Sequence, residues 1–194
     1  MKYAAEARRE IGIRTAFNLL GPLTNPAGAN AQLLGVYDPK LVSTMAYALS
    51  RLGCEEAMVV HGLDGLDEIS TIGKTAVAWL KDDKVTELEA SPTDFGVKQV
   101  SVADLKATST EEYTEILFKI LSGNIEANDP KLEFVLVNSA AGIVLGGKAD
   151  DFLGGMELAR KSIFSGAAYE KLVALIRASG GSLTKLEEYE AMYE

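Results

Sequence analysis

The sequence predicts an α/β fold: a mixed, largely parallel sheet flanked by helices. Three observations carry this expectation. Residues 32–37 and the apolar run Ala57-Met58-Val59-Val60 read as strands with a helix between them. That is a βαβ unit, whose strands run parallel with a right-handed crossover. Residues 75–80 and 84–88 alternate around Asp82-Asp83, the pattern of a two-stranded hairpin. After residue 100 the chain reads as a run of helices with start and stop signals in place.

Taken in order, residues 3–10 form a helix stopped by Gly12, with no capping residue at its start. Residues 13–26 begin helix-like and break at Gly21-Pro22 and again at Asn25-Pro26. Two breakers so close give a rigid, irregular segment, either a plain loop or the wall or hinge of a pocket. Asp38 as N-cap and Pro39 as first helical residue open the next helix, a cap of this kind contributing about 1 kcal/mol. Leu41, Met45, Ala48, Leu49 and Leu52 mark its apolar face, and Gly53 closes it. In the hairpin, Trp79 is a packing anchor. Beyond Ser91-Pro92 the chain is irregular to Val100, with Phe95-Gly96 a turn over a buried ring.

A short helix at 101–105 comes next. Ser109 with Glu112 makes a capping box for a helix running to Leu121 and stopping near Gly123. Asp129-Pro130 repeats the earlier start signal and opens an apolar helix that reaches Gly146. Another helix covers 156–164 after Gly154-Gly155, and Ser165 caps a last one at 169–178. The glycine pairs 146–147, 154–155 and 180–181 read as helix ends, since none follows a strand with dinucleotide-site spacing. The acidic terminus, 182–194, is a docked strand, a docked helix or a frayed end.

A chain of 194 residues suits one domain with a sizeable core, and 47% hydrophobic with 24% charged residues is ordinary for a globular protein. The net charge of −9 argues against nucleic acid as a partner, because phosphate backbones call for a basic face. An anionic ligand could still be held at the amino end, where Lys2, Arg8, Arg9 and Arg14 face only Glu6 and Glu10. Cys54, the single cysteine, reads as a small core residue in a reducing, cytoplasmic protein. The longest apolar stretch, 134–147, contains Asn138 and Ser139 and is too short for a bilayer, so no membrane association is expected. No Walker loop, nucleophile elbow, zinc spacing or complete calcium loop is present, and the lone histidine, His61, reads as support for a loop backbone.

The densest chemistry lies in His61-Gly62-Leu63-Asp64-Gly65-Leu66-Asp67-Glu68-Ile69-Ser70. Asp64, Asp67 and Glu68, interspersed with Gly62 and Gly65, make a flexible and strongly anionic turn. Its self-repulsion has to be offset by a cation or by solvent. Two readings stand side by side: a solvated acidic turn, or a magnesium site for a phosphorylated substrate with Asp67 and Glu68 as ligands. The turn leaves the carboxyl end of a parallel strand, the edge where open α/β sheets bind ligands, which lifts the metal reading to parity.

Two stretches resemble one known family. The segment Arg8-Arg9-Glu10-Ile11-Gly12-Ile13-Arg14-Thr15-Ala16-Phe17-Asn18-Leu19-Leu20-Gly21-Pro22-Leu23-Thr24-Asn25-Pro26 is similar to the characteristic segment of the anthranilate phosphoribosyltransferases, and 61–70 is similar to their metal loop. Asn138-Ser139-Ala140-Ala141 also looks like that family, and the resemblance covers essentially the whole chain. It implies transfer of a phosphoribosyl group from phosphoribosyl pyrophosphate to anthranilate in tryptophan biosynthesis, with Mg2+ as cofactor. On this resemblance Arg8 would hold the anthranilate carboxylate, Pro22 would line the anthranilate channel, and 18–26 would form part of a hinge. Asp67 and Glu68 would bind magnesium, Asp64 receives no ligand role, and no catalytic base is assigned. Family members are longer and typically homodimeric. Their amino-terminal helical domain, which helps form the dimer, and their glycine-rich pyrophosphate loop have no counterpart here. Residues 1–194 are therefore expected to be an incomplete large α/β domain, the carboxy-terminal portion, inactive alone. The alternatives are a pyrimidine nucleoside phosphorylase of the same fold group, or a non-catalytic fragment or subunit that needs a separate amino-terminal chain.

Overall fold

The computed structural model describes Glu10, Gly12 and residues 17–193. Helix α1 (Phe17–Leu23) leads into β1 (Ala31–Gly35), and α2 (Leu41–Arg51) carries the chain over to β2 (Glu56–Gly62). Strands β3 (Thr75–Lys81) and β4 (Lys84–Ala90) complete a four-stranded sheet of order β1-β2-β3-β4. β1 and β2 run parallel, with Leu33 opposite Met58, so the expected βαβ unit is there. The sheet is mixed and flanked by helices as expected, but its balance differs. β2 pairs antiparallel with β3 and β3 antiparallel with β4: residues 63–74 form no crossover helix, and the two-residue turn between β3 and β4 leaves no room for one. Asp82 and Asp83 take φ of 50° and 59°, the left-handed pair that a tight hairpin turn demands.

β2 is buried on both faces and divides the core. On one face Met58 and Val60 join Val77, Phe95, Leu132, Leu136 and Met156; on the other Ala57 and Val59 join Val42, Met45, Leu49, Leu80 and Cys54. Successive side chains of a strand point to opposite faces, so one apolar run serves two layers. Burial raises the Cys54 thiol above its ordinary range, and its sulfur lies 3.3 Å from the Asn30 and Glu56 carbonyls, in keeping with a packing role.

Beyond β4 come a 3-10 turn (Pro92–Phe95) and helices α3 (Val102–Leu105), α4 (Thr110–Ser122), α5 (Pro130–Leu145), α6 (Phe152–Phe164), α7 (Ala167–Ala178) and α8 (Leu183–Tyr193). Phe95 is buried beneath Gly96, which sits at φ 71°. Trp79 anchors the hairpin: its indole donates to Glu56 at 3.1 Å and its ring stacks on Phe152 of α6, which stacks in turn on Phe95. The terminus is a docked helix, Tyr189 and Tyr193 of α8 meeting Phe118 of α4 while Tyr169 bonds Glu190. No helix among the described residues is long and apolar enough to cross a membrane.

Several local expectations shift. α1 runs on through Gly21-Pro22 to Leu23, and the break falls at Asn25-Pro26 alone, where the Asn25 carboxamide accepts from the Ala27 amide. α2 starts at Leu41 instead of Pro39, because Asp38 is occupied in a turn, accepting from the Lys40 and Leu41 amides. Glu112 accepts from the Thr108 amide instead of the Ser109 amide, so the box is half formed. α6 begins at Phe152, capped by Asp151 at 2.7 Å from the Gly154 amide, which places Gly154 and Gly155 inside the helix. Gly155 is there for space: an added Cβ would lie 2.7 Å from the Ala140 carbonyl oxygen of α5. Gly166, at φ 81°, begins α7 in place of Ser165.

Candidate functional site

β2 ends at Gly62, and the acidic loop leaves its carboxyl end as the sequence predicts. The loop is more tightly determined than a flexible turn. The Gly62 amide donates to Leu66 O at 2.7 Å, and Leu63 to Lys74 O at 2.8 Å. Gly65 takes φ 104°, a conformation that favours glycine. Asp64 is exposed but folds back on the loop: one carboxylate oxygen accepts from the Leu66 amide at 3.2 Å and the other from the Ser70 hydroxyl at 2.5 Å. Ser70 Oγ accepts in turn from the Ile72 amide, while the Ser70 amide donates to Thr75 Oγ1. The acid that received no ligand role therefore closes the loop.

His61 is also structural. Its Nδ1 lies 2.7 Å from Val36 O in a buried setting. A carbonyl can only accept, so Nδ1 carries the proton and the ring ties β2 to the segment leaving β1.

Asp67 and Glu68 remain, both exposed. Among the described residues neither has a lysine or arginine partner; the ion pairs there are Lys74–Glu89, Lys81–Glu56 and Lys119–Glu115. Although the residue is exposed, partial desolvation of its carboxyl against α5, and then the neighbouring Asp67 carboxylate, push the Glu68 carboxyl above its ordinary range. Glu68 lines a hollow of about 300 Å3 with Phe134, Val135, Asn138 and Ser139 of α5. No group of three or more His, Cys, Asp or Glu side chains that could hold a metal ion occurs among the described residues. An ion here would thus draw on two adjacent carboxylates and complete its shell with water or substrate oxygens, a normal arrangement for magnesium.

Of the other expected site residues, Pro22 is half-buried in α1, whose Leu19 and Leu23 pack against the α2 side of the core. Arg8 lies outside the described residues, as do Lys2, Arg9 and Arg14. The sequence reading missed two residues that shape the site. Asn138 brackets Ile69, accepting from its amide at 2.9 Å and donating to its carbonyl at 3.0 Å. Gly35 lies so close to Asp67 that an added Cβ would stand 1.7 Å from its carbonyl oxygen. An asparagine inside the apolar run 134–147 was the available signal, since a polar side chain there needs a partner.

Comparison with known proteins places this geometry. The sequence pattern described as "Glycosyl transferase family, a/b domain" matches residues 1–169. The chain is 47% identical over 179 residues to the anthranilate phosphoribosyltransferase of Nitrosomonas eutropha, covering 92% of this chain and 52% of that protein. Among solved structures it is similar to the anthranilate phosphoribosyltransferase of Saccharomyces cerevisiae in complex with 4-fluoroanthranilate, with a TM-score of 0.83, 32% identity, and coverage of 91% of this chain and 51% of that one. The same yeast enzyme in complex with PRPP and Mg matches with a TM-score of 0.80 and 32% identity, over 89% of this chain and 49% of that one. The chain spans about half the length of the curated relatives it matches. The βαβ unit, the acidic loop at its carboxyl edge and the matched span agree, and the chain belongs to the glycosyl transferase family, matching its a/b domain.

Proposed function

We propose that this chain is the anthranilate- and metal-binding portion of a cytoplasmic phosphoribosyltransferase that joins anthranilate to phosphoribosyl pyrophosphate in tryptophan biosynthesis. The observation that carries this reading is the division of labour in the loop. Asp64 is held by Ser70 and Leu66, while Asp67 and Glu68 stand exposed without a cationic partner among the described residues. Two oxygen donors beside a glycine-containing turn fit a hard divalent cation, and the Asp67 repulsion, which adds to desolvation in raising the Glu68 pKa, is what such a cation would offset.

Asp67 and Glu68 are the residues that would hold magnesium, which when bound offsets the charge building on departing pyrophosphate. Arg8 would grip the anthranilate carboxylate through its planar fork, and Pro22 would wall the channel leading to it. These side chains bind and orient, bringing the aromatic amine to the anomeric carbon. His61 supplies no base through Nδ1, since that nitrogen donates to Val36.

The chain spans half of its relatives, so turnover is expected to need the other half. The test mixes this chain with the amino-terminal portion of a related enzyme and follows loss of anthranilate fluorescence with phosphoribosyl pyrophosphate and Mg2+. Turnover on mixing, abolished by Asp67→Ala with Glu68→Ala, is the expected result. Magnesium-dependent turnover that survives the double substitution removes the metal assignment. Turnover by this chain alone removes the requirement for a partner portion, and thymidine phosphorolysis by the mixture transfers the reading to a nucleoside phosphorylase.

A further inference from the structure

We infer that Asn138 is a positioning residue for the acid pair, its amide fixing the peptide group from which Glu68 presents its carboxylate. The inference rests on the reading of Asp67 and Glu68 as the magnesium pair. Asn138 stands on α5 and reaches across 69 positions of sequence to Ile69. Its Oδ1 accepts from the Ile69 amide at 2.9 Å, and its Nδ2 donates to Ile69 O at 3.0 Å and to Phe134 O at 3.1 Å. The Ile69 nitrogen belongs to the same planar unit as the Glu68 carbonyl, so holding one orients the other.

The chemistry asks for this residue type. One planar group must accept and donate on neighbouring atoms, which a carboxylate or an alkyl side chain cannot do. Ile69 is 1% exposed, so its amide and carbonyl depend on protein partners instead of water. β1 also presses on Asp67, where a Cβ at Gly35 would meet the carbonyl carbon at 2.7 Å as well as the oxygen at 1.7 Å. The dipeptide is thus seated between β1 and α5. Its side chains are exposed, and the seat of their backbone decides where the oxygens stand.

The experiment uses the 194-residue chain with Mn2+ as a paramagnetic stand-in for Mg2+. Binding is followed by electron paramagnetic resonance, amide exchange at Ile69 by NMR, and folding by thermal melting. Asn138→Leu keeps the branched shape and removes both hydrogen-bonding functions; Leu136→Ala weakens the same helix from the core and leaves the Asn138 carboxamide that bonds Ile69 in place. Asn138→Leu should weaken Mn2+ binding about tenfold or more, in the range that outer partners of metal ligands command, and should speed exchange at Ile69. Leu136→Ala should lower the melting temperature and leave affinity within about twofold, since additivity holds away from the contact. Equal affinity for Asn138→Leu and wild type overturns the inference, as does an equal loss in Leu136→Ala. A wild-type chain that takes up no Mn2+, or equal uptake after Glu68→Gln, overturns the acid-pair reading itself and the inference with it.

Discussion

Replacing Gly155 by alanine sets two opposing effects against each other. In a helix interior alanine is favoured over glycine by about 1 kcal/mol, because glycine loses more backbone freedom on folding. At this position the added methyl would stand 2.7 Å from the Ala140 oxygen, 3.0 Å from its Cα and 3.1 Å from its carbonyl carbon. All three are backbone atoms of α5, so no side-chain rotation relieves the contact. The two helices must part to bring the closest approach to the 3.4 Å of ordinary packing. Overpacking of a rigid seam belongs in the upper part of the usual range, about 2–3 kcal/mol. The net loss is then about 1–2 kcal/mol, a fall in melting temperature of about 3–6 °C for a chain of this size. Gly154, its neighbour, meets only side-chain atoms, the Asp151 carboxylate at 3.3 Å and the Ala149 methyl at 3.6 Å, so a small shift of the capping carboxylate suffices. Gly154→Ala should therefore raise the melting temperature by about 1–3 °C. Circular dichroism melts of the two variants beside wild type decide the matter. If both move the same way, or Gly155→Ala fails to melt lower, close approach of α5 and α6 is not why glycine stands at 155.

Two further outcomes concern the site. Burial and Asp67 raise the Glu68 pKa from its ordinary 4.5, so the folded chain holds that proton more tightly than the unfolded one, and stability declines as pH rises through this window. Glu68→Gln should accordingly melt above wild type near about pH 8 in metal-free buffer, with the gap closing as pH falls toward about 4; a gap that is flat, or widens in acid, refutes the assignment. In the reconstituted enzyme, Arg8→Ala should raise the anthranilate KM about tenfold or more, since hydrogen bonds to charged groups contribute about 1.5–3 kcal/mol. An unchanged KM removes Arg8 from the site.

What could be read from the sequence was local. The apolar run gave β2 and the alternating runs gave the hairpin, and Asp129-Pro130 opened α5 where expected, with Asp129 accepting from Lys131 at 2.8 Å. The acidic loop was legible because its composition and the strand before it lie within a few residues of each other. The misreadings share another cause. Gly154-Gly155 looks like a helix stop until Ala140 arrives beside it, and Gly35 is an unremarked strand residue until the Asp67 carbonyl lies against it. Asn138 and Ile69 are 69 positions apart, so no window along the chain reveals their bond. The antiparallel balance of the sheet depended on residues 63–74 returning the chain without a crossover helix, which composition does not encode. No pattern in the loop says why Asp64 stands apart from Asp67 and Glu68; the Ser70 hydroxyl supplies the physical reason.

The chain has one tryptophan and one histidine, and each stands at a joint. Trp79 touches Phe152 and Glu56, so its emission reports whether α6 still lies on the hairpin. His61 bonds Val36, so its ring-proton resonances report whether the neighbouring parallel strands remain joined beneath the loop. The unlabelled protein therefore comes with two native beacons, and watching them together during denaturation would reveal whether the two regions dissolve in one step or in succession.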